Sequence, residues 1–130
     1  MNPFYTPKIV DKPWGREIWY ADSETYAGKV LEVKAGARLS LQYHEIKTET
    51  LYLLSGRVRM VFKQVEDRSS IHIEQADYFD WLPGQAVHIP TATVHRFEAV
   101  EDSVLLEVST PHLTDVVRVE DDYSRPDRDR

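Results

Sequence analysis

The chain has 130 residues, of which 42% are hydrophobic and 29% charged, a composition typical of one soluble globular domain spanning residues 1–130. The net charge of -6 argues against a general nucleic-acid binder, and the lack of any apolar run of about eighteen residues argues against a membrane protein. The absence of cysteine excludes disulfides, thiolate catalysis and cysteine-ligated metals. The first residues lack the pattern of a signal peptide, so we expect a cytoplasmic protein.

Short runs of alternating or apolar residues, each bounded by turn residues, predict a series of β-strands. In chain order these runs are 29–33, 39–44, 50–54, 57–62, 70–73, 86–89, 94–97 and 104–108. No apolar stripe at helical spacing occurs before residue 111, so we predict an all-β sandwich or barrel with its core at about 25–110. Residues 113–117 fit a short helix or a strand equally well. Residues 1–9 and 124–130 are predicted to be loose, irregular extensions.

The first candidate site lies between residues 36 and 56. Gln42 and His44 are two residues apart, so in a strand their side chains project from the same face. Glu49 begins the next apolar run, and a turn between the two runs would bring it back alongside. A carboxamide, an imidazole and a carboxylate together suit zinc, manganese, iron, nickel or cobalt better than calcium. The alternative is a strand whose polar face contacts water.

A second segment adds another metal-ligand candidate. His95 follows a turn that contains Pro90, and Phe97 lies on the same side of the predicted strand. A barrel would place this strand opposite the one carrying Gln42 and His44, completing four protein ligands around one divalent ion. The alternative for His95 is a surface position near a turn. We expect the remaining histidines in such positions: His72, His88 and His112.

These two segments resemble the two cupin motifs, G-x5-H-x-H-x4-E-x6-G and G-x5-P-x-G-x2-H-x3-N. Gln42 stands where the first histidine usually stands. Ala92 replaces the inner glycine of the second motif, and Ala99 replaces its final asparagine. The resemblance implies a small single-domain cupin, a jelly-roll barrel whose metal ligands are Gln42, His44, Glu49 and His95.

A glutamine in place of the first histidine is typical of the type II mannose-6-phosphate isomerases, including the C-terminal domain of bifunctional guanylyltransferase–isomerases. Four segments of the chain are similar to that branch: 12–15, 36–44, 89–96 and 116–125. The resemblance implies one bound divalent metal, zinc first and manganese, nickel, cobalt or iron as alternatives. One departure is Lys47, since the branch usually carries an arginine in this run, and lysine cannot form the same bidentate contacts.

Three further residues are candidates for catalysis. Lys29 would point into the barrel if Leu31 and Val33 line the core, and a buried lysine needs an anion such as a substrate phosphate or a carboxylate. The reverse register would expose it. Glu107 lies in an apolar run and is either a general base with a raised pKa or a salt-bridge partner. Arg96 follows His95, so alternation turns it away from the metal towards a structural role, although the resemblance suggests a contact with substrate phosphate.

The function implied is aldose–ketose isomerisation of a sugar phosphate of the mannose-6-phosphate type. This reaction moves a proton between C1 and C2 and requires a cation to stabilise the developing oxyanion. One alternative is a cupin that binds a sugar or metabolite with its metal but does not turn it over. The other is a metal-dependent oxygenase, which would usually have a second histidine at position 42. The resemblance further implies a homodimer, for which Tyr5, Trp19 and Tyr20 are candidate exposed aromatics.

Overall fold

The computed structural model describes residues 1–64, 77–123 and 125 of the chain. Within these residues the protein is all-β and contains no helix, as predicted. Eleven strands follow one another along the chain: β1 (Lys8–Lys12), β2 (Gly15–Asp22), β3 (Ala27–Val33), β4 (Leu41–Tyr43), β5 (Glu49–Ser55), β6 (Val58–Gln64), β7 (Asp77–Trp81), β8 (Ala86–Ile89), β9 (Thr93–Ala99), β10 (Ser103–Ser109) and β11 (Val117–Glu120). No helix of the described residues has the length and apolar character needed to cross a membrane.

The strands form two antiparallel sheets. Sheet one has six strands in the order β1-β2-β3-β10-β5-β8, and sheet two has five strands in the order β11-β4-β9-β6-β7. Consecutive strands β4 and β5 lie in different sheets, and so do β9 and β10. The chain therefore crosses between the sheets repeatedly, as in a jelly roll.

The hydrophobic core fills the space between the sheets, because alternate residues of each strand point inward. Sheet one contributes Leu51, Leu53 and Leu105, which have no measurable exposure. Sheet two contributes Met60 and Phe97. Trp14 and Trp81 also belong to this core. Buried charged residues of the same inward faces, among them Lys29, Glu49 and Glu107, lie at one end of this core, where the candidate site is found.

Most predicted strands lie within the observed ones, but the sheets extend beyond the core predicted at about 25–110. β1 starts at Lys8, inside the stretch expected to be loose, and β2 and β11 also lie outside that range. Residues 113–114 form a turn and β11 begins at Val117, so the helix considered for 113–117 is absent. The predicted strand at 70–73, with His72, lies outside the described residues, as does most of 124–130.

The predicted strand at 39–44 is shorter than expected. Only Leu41–Tyr43 is a strand, while Arg38 forms an isolated bridge with Glu98 and His44 follows the strand end. The backbone of the preceding segment bonds β9 instead, through the N–H of Leu39 and the carbonyl of Phe97 at 3.0 Å. These contacts fix where β4 starts and hence where Gln42 and His44 emerge.

Candidate metal centre

His44 is held at the end of β4 by a contact with the C-terminal part of the chain. Its ring is buried, and Nδ1 donates to the backbone carbonyl of Asp115 at 2.5 Å. A carbonyl oxygen can only accept, so this contact places the proton on Nδ1 and leaves the lone pair on Nε2. The histidine is therefore oriented and protonated as a metal ligand through Nε2 requires.

Asp115 also fixes the loop that leads from His44 to Glu49. Its carboxylate accepts hydrogen bonds from the backbone N–H groups of Glu45, Ile46 and Lys47 at 3.3, 2.7 and 2.9 Å. Burial alone would raise the pKa of Asp115, but these three donors outweigh it and lower the pKa. The turn that was expected to return Glu49 alongside His44 is thus held by an aspartate almost seventy residues away along the chain.

His95 approaches from the opposite sheet, on the inner face of β9. Its Nδ1 donates to the carbonyl of Thr93 at 2.9 Å, so its Nε2 also carries the lone pair. Only 1% of the residue is exposed. The two imidazole rings lie 5.2 Å apart between centroids. Both histidines therefore aim an unprotonated nitrogen into the same enclosed space.

The two nitrogens converge on one oxygen of Glu49. Glu49 Oε1 lies 3.4 Å from Nε2 of His44 and 3.5 Å from Nε2 of His95. Neither Nε2 forms a hydrogen bond, although both are fully buried. All three ligand atoms lie within 4.8 Å of one another. Ligands about 2.1 Å from a tetrahedral ion are roughly 3.4 Å apart, so these residues fit a metal ion.

Gln42 lines the same cavity from the inner face of β4, in register with His95 on the neighbouring strand. Its carboxamide oxygen accepts a hydrogen bond from the hydroxyl of Ser40 at 2.6 Å. A carboxamide oxygen has two lone pairs, so this bond leaves one for a second partner. Gln42 thus lines the same cavity as His44 and Glu49, and its role as a metal ligand stays a prediction.

Lys47 lies next to this cluster, completely buried. Its Nζ is 2.8 Å from Oε2 of Glu49 and 3.2 Å from Oε2 of Glu107. Burial alone would lower the pKa of Lys47, but the two carboxylates more than compensate and raise it. Burial would likewise raise the pKa of Glu49, yet Lys47 and the histidines hold it well below its ordinary value.

Glu107 points into the cavity from β10, and Lys47 is its ion-pair partner. The second alternative of the sequence analysis, a salt bridge with a lysine, is therefore observed. Burial raises the pKa of Glu107 despite the opposing charge of Lys47. A raised pKa is also what a general base near neutral pH needs, so the ion pair and the first alternative are compatible.

Lys29 points into the barrel, which is one of the two registers considered for it. Its anionic partner is Glu17, whose Oε1 lies 3.3 Å from Nζ, and its ammonium lies 4.9 Å from the ring centroid of Trp19. Trp19 Nε1 donates to the same Glu17 oxygen at 2.8 Å. Trp19 is buried, so it is not the exposed aromatic expected for a dimer surface. Lys29 also lies directly across from Glu107 in the pairing of β3 with β10.

The structure does not bring Arg96 to the metal cluster. Arg96 lies on the outer face of β9, where its Nε donates to the carbonyl of Leu39 at 2.9 Å. Its other nitrogens lie 3.9 Å from a carboxylate oxygen of Glu120 and 3.7 Å from one of Asp122. These contacts favour the structural role, because strict alternation turns Arg96 away from His95, and a contact with substrate phosphate stays a prediction.

A cavity of about 60 Å³ adjoins the cluster. Its walls include the C-terminal segment, through Leu113, Val116 and Arg118, as well as the inner faces of both sheets. Ligand pockets for drug-sized molecules are typically about 300–1,000 Å³, so this cavity has room for an ion and a few waters rather than a hexose.

Lys47, Asp115 and Glu17 are the site residues that sequence reasoning did not assign. Lys47 had been singled out only as a departure from the related branch. Glu17 and Trp19 are two residues apart in β2, so their side chains project from the same face, which is only a weak signal that Glu17 is buried. Asp115 gave no signal, because its contacts with residues 44–47 depend on long-range folding.

Fold and site together define a cupin, with a buried His-Glu-His group that could hold a metal. Residues 4–125 match the sequence model of the family described as mannose-6-phosphate isomerase C-terminal, and the chain belongs to this family. It is 31% identical over 122 residues to the alginate biosynthesis protein AlgA of Pseudomonas aeruginosa. The match covers 89% of this chain but 23% of AlgA, so the chain spans about a quarter of that relative.

Solved structures of similar fold are also cupins. The capsular polysaccharide assembling protein CapF from Staphylococcus aureus has a TM-score of 0.69 at 17% identity, covering 90% of this chain and 35% of CapF. KdgF from Halomonas sp. has a TM-score of 0.65 at 18% identity, covering 81% of this chain and 88% of KdgF. Oxalate decarboxylase from Bacillus subtilis, a protein with Mn(II) centres, has a TM-score of 0.68 at 25% identity, covering 88% of this chain and 30% of the decarboxylase.

Proposed function

We propose that the chain is a metal-dependent sugar-phosphate isomerase of the mannose-6-phosphate type. The observation that carries this proposal is the convergence of two buried histidine nitrogens, neither of which forms a hydrogen bond, on one Glu49 oxygen, in a chain of the isomerase family. His44, Glu49 and His95 would hold the ion, with Gln42 as the fourth ligand and zinc as the first candidate. The bound ion would polarise the sugar carbonyl and stabilise the oxyanion of the enediol.

The buried charges beside the cluster supply the remaining chemistry. Glu107 accepts the proton from C2 of the open-chain aldose and returns it to C1, while the hydroxyl proton passes from O2 to O1. Lys47 lies between Glu49 and Glu107, and its positive charge offsets the repulsion between the two carboxylates. Lys29 lies across from Glu107 and stabilises negative charge on the substrate. Arg96 takes no part in this chemistry, given its outer position.

The charge of the cavity walls supports an anionic substrate. Among the described residues, five lysines and arginines and four carboxylates line the cavity: Lys12, Lys29, Lys47, Arg118 and Arg125 against Glu17, Glu49, Glu107 and Asp115. A divalent ion would add two further positive charges. The site therefore attracts anions, and a sugar phosphate is the substrate class that matches both this charge and the family.

The decisive measurement has two parts. Metal content after purification is determined by elemental analysis, and conversion of mannose 6-phosphate to fructose 6-phosphate is then assayed with and without a chelator. We expect about one divalent ion per chain and chelator-sensitive conversion. His44→Ala should abolish metal retention, whereas His88→Ala, at an exposed position on β8, should leave it unchanged. A His44→Ala protein that retains its ion would refute the ligand assignment.

A second candidate is a metal-containing cupin that binds a sugar or metabolite without turnover. The small volume of the cavity, about 60 Å³, favours it. Full metal occupancy with no conversion of any hexose phosphate would favour this candidate over the isomerase. We also propose that the chain forms a homodimer, as the family resemblance implies, and its cytoplasmic location remains a prediction.

A further inference from the structure

The ammonium of Lys29 is held by two side chains that the chemistry proposed above does not use. Glu17 Oε1 lies 3.3 Å from Lys29 Nζ, and the ring centroid of Trp19 lies 4.9 Å from it. Trp19 Nε1 in turn donates to the same Glu17 oxygen at 2.8 Å. All three residues are buried, and their contacts form a closed triangle. We call Glu17 and Trp19 the lysine cradle.

The strand register brings the lysine cradle next to the candidate metal centre. Trp19 of β2 lies directly opposite Lys29 of β3, and Lys29 lies directly opposite Glu107 of β10. Residues opposite one another on antiparallel strands share a face of the sheet, so these three form one row on the inner face. Together with Glu17 they line the cavity that adjoins the His-Glu-His group. Lys29 therefore has the cradle on its β2 side and Glu107 on its β10 side.

The backbone departs from regular pairing directly after Trp19. The register of β2 with β3 shifts between Trp19 and Ala21, so Tyr20 is the extra residue of a β-bulge. The ring of Tyr20 lies over Gly28, where a Cβ would stand 2.6 Å from the nearest ring carbon, and its hydroxyl donates to the carbonyl of Glu107 at 3.3 Å. Bulges next to functional sites re-aim a side chain. This bulge adjoins Trp19 and is tied to the strand that carries Glu107.

Fold stability alone does not account for the buried pair of Glu17 and Lys29. Replacement of a buried ion pair by well-packed apolar residues is often neutral or stabilising, because both charges lose their hydration on burial. A cation that is already oriented, by contrast, stabilises charge that develops on a bound molecule without reorganising at that moment. The pair therefore fits a role at the cavity better than a role in the core.

We propose that Glu17 and Trp19 are positioning residues for Lys29, which hold its ammonium beside Glu107 to meet the charge that develops on the substrate. This inference rests on the isomerase function proposed above. The carboxylate of Glu17 keeps the ammonium in the cavity, and the indole N–H of Trp19 fixes that carboxylate. Without these contacts the flexible four-carbon stem of Lys29 is free to leave the position.

The main variant is Trp19→Phe, which keeps an aromatic ring beside the ammonium and removes only the N–H that donates to Glu17. Trp81→Phe is its matched control. Trp81 is also buried, its Nε1 also donates at 2.8 Å, to the carbonyl of Gln85, and it lines a different cavity.

A second variant, Glu17→Gln, removes the charge of the cradle and keeps its shape. Glu32→Gln is its matched control, because it makes the same change on the neighbouring strand β3 in an exposed ion pair with Arg16. The two variants act on different members of the cradle, and Trp19→Phe alone decides the outcome where Glu17→Gln does not fold.

The first readout does not depend on turnover. Buried ammonium groups whose protons exchange slowly with water give ¹⁵Nζ–¹H NMR signals, and Lys29 and Lys47 are the buried lysines among the described residues. Lys29→Arg identifies the Lys29 signal. We expect this signal to disappear in Trp19→Phe and Glu17→Gln and to persist in both controls. The Lys47 signal should persist in every variant and shows that the barrel is folded.

The second readout is the kinetics of the zinc-loaded protein with mannose 6-phosphate. Both cradle variants should lower kcat by about tenfold or more, since misplacement of a group at the reacting centre by about 1 Å can cost on the order of 10²-fold. KM should change by less than about threefold, because the interaction is made with charge that develops in the transition state. Both controls should keep the wild-type kcat.

The outcomes separate this inference from the proposed function. Persistence of the Lys29 signal in Trp19→Phe, or an unchanged kcat in this variant while the wild type turns over, would overturn the positioning role. Loss of the Lys29 signal in Trp81→Phe would also overturn it, by showing that the signal reports loosening of the whole barrel. A wild type that converts no hexose phosphate would refute the isomerase instead, and the NMR signals alone then decide whether the cradle holds Lys29.

Discussion

Ala92 adopts a backbone conformation that disfavours its own side chain. Its φ is +58°, in the left-handed region, and its N–H donates to the carbonyl of His44 at 2.8 Å. This is the position where the cupin motif has a glycine. The left-handed conformation costs an alanine about 1–2 kcal/mol, which the fold tolerates because the turn must carry the chain past His44 into β9.

Ala92→Gly should therefore stabilise the protein. Relief of the left-handed strain exceeds the extra backbone entropy that glycine loses on folding, which is about 0.5–1 kcal/mol. We expect the free energy of unfolding to rise by about 0.5–1 kcal/mol in denaturant titrations, with metal content unchanged. A decrease would show that the methyl group of Ala92 makes contacts that outweigh the strain.

Glu17 and Lys29 form a buried ion pair whose contribution depends on pH. Burial alone would raise the pKa of Glu17, but Lys29, Lys12 and the Trp19 hydrogen bond outweigh it and lower the pKa. A lowered folded-state pKa means that the ionised carboxylate stabilises the fold above its unfolded pKa of about 4.3. That stabilisation is lost as the pH falls through the folded-state value.

Glu17→Gln should leave Lys29 buried without its anion and cost about 3–5 kcal/mol near neutral pH. The difference from wild type should begin to narrow below about pH 4, where the unfolded chain takes up a proton at Glu17, and should close as the pH falls through the lower folded-state pKa. Denaturant unfolding at a series of pH values measures this. Glu32→Gln, in an exposed ion pair with Arg16, is the control and should change stability by less than about 1 kcal/mol. A pH-independent difference would contradict this account of Glu17.

At the same scale, the sequence identified some site residues and missed others for physical reasons. Gln42, His44 and Glu49 are close in sequence, and strand periodicity predicts which way their side chains point. The assignment of His95 to the same site depended on a second segment, in which a turn containing Pro90 precedes the strand. Asp115 could not be predicted, because nothing local distinguishes a surface aspartate from one that accepts three loop N–H groups.

At the level of elements, the C-terminal segment is attached to sheet two by arginines. Arg96 bonds the carbonyl of Leu39 and approaches Glu120 and Asp122. Arg38 binds Asp122 through two nitrogens, at 2.6 and 3.0 Å. β11 also pairs with β4. These contacts give Arg96 a structural role in joining β9 to the strand that walls the cavity.

Arg96→Lys should lower the free energy of unfolding by about 1–3 kcal/mol, because lysine keeps the charge but cannot reproduce the guanidinium hydrogen bond to Leu39. Metal content should stay at the wild-type level. Arg16→Lys, at an exposed pair, is the matched control and should change stability by less than about 0.5 kcal/mol. A variant with full stability and a raised KM for sugar phosphate would instead restore the role in phosphate binding.

The strands that the sequence predicted best have apolar residues on their inner faces. β8 was predicted with its observed bounds, and β3, β5, β6, β9 and β10 were each predicted within a few residues. β2 was missed because its inner face carries Glu17, which disrupts the apolar alternation that marks a strand. β11 was missed because it is short and charged, and its pairing with β4 depends on contacts distant in sequence.

For the whole molecule, metal binding should stabilise the fold, because its ligands come from both sheets. An ion at about one hundred times its dissociation constant adds roughly 2.7 kcal/mol. Thermal unfolding of wild type should therefore shift upward on addition of zinc and downward with a chelator. His44→Ala should lose this response and His88→Ala should keep it. A zinc response that persists in His44→Ala would place the stabilising ion elsewhere.

The all-β cupin fold was predictable for the molecule as a whole, since strand periodicity and two motifs agree on it. The small volume of the cavity was not, because it depends on where the C-terminal segment, with Leu113, Val116 and Arg118, packs after the barrel has formed.

Asp115 links the wall of the cavity to His44 of the proposed metal site, and this has a kinetic consequence. Its carbonyl holds Nδ1 of His44, and its neighbours Leu113 and Val116 close the cavity. Outward movement of this segment to admit a sugar would remove the acceptor that orients the imidazole. The residence time of the ion should therefore shorten whenever a large ligand enters. Isotope exchange of the bound metal, followed with and without a hexose phosphate, would measure how the rate of barrel opening depends on the ligand.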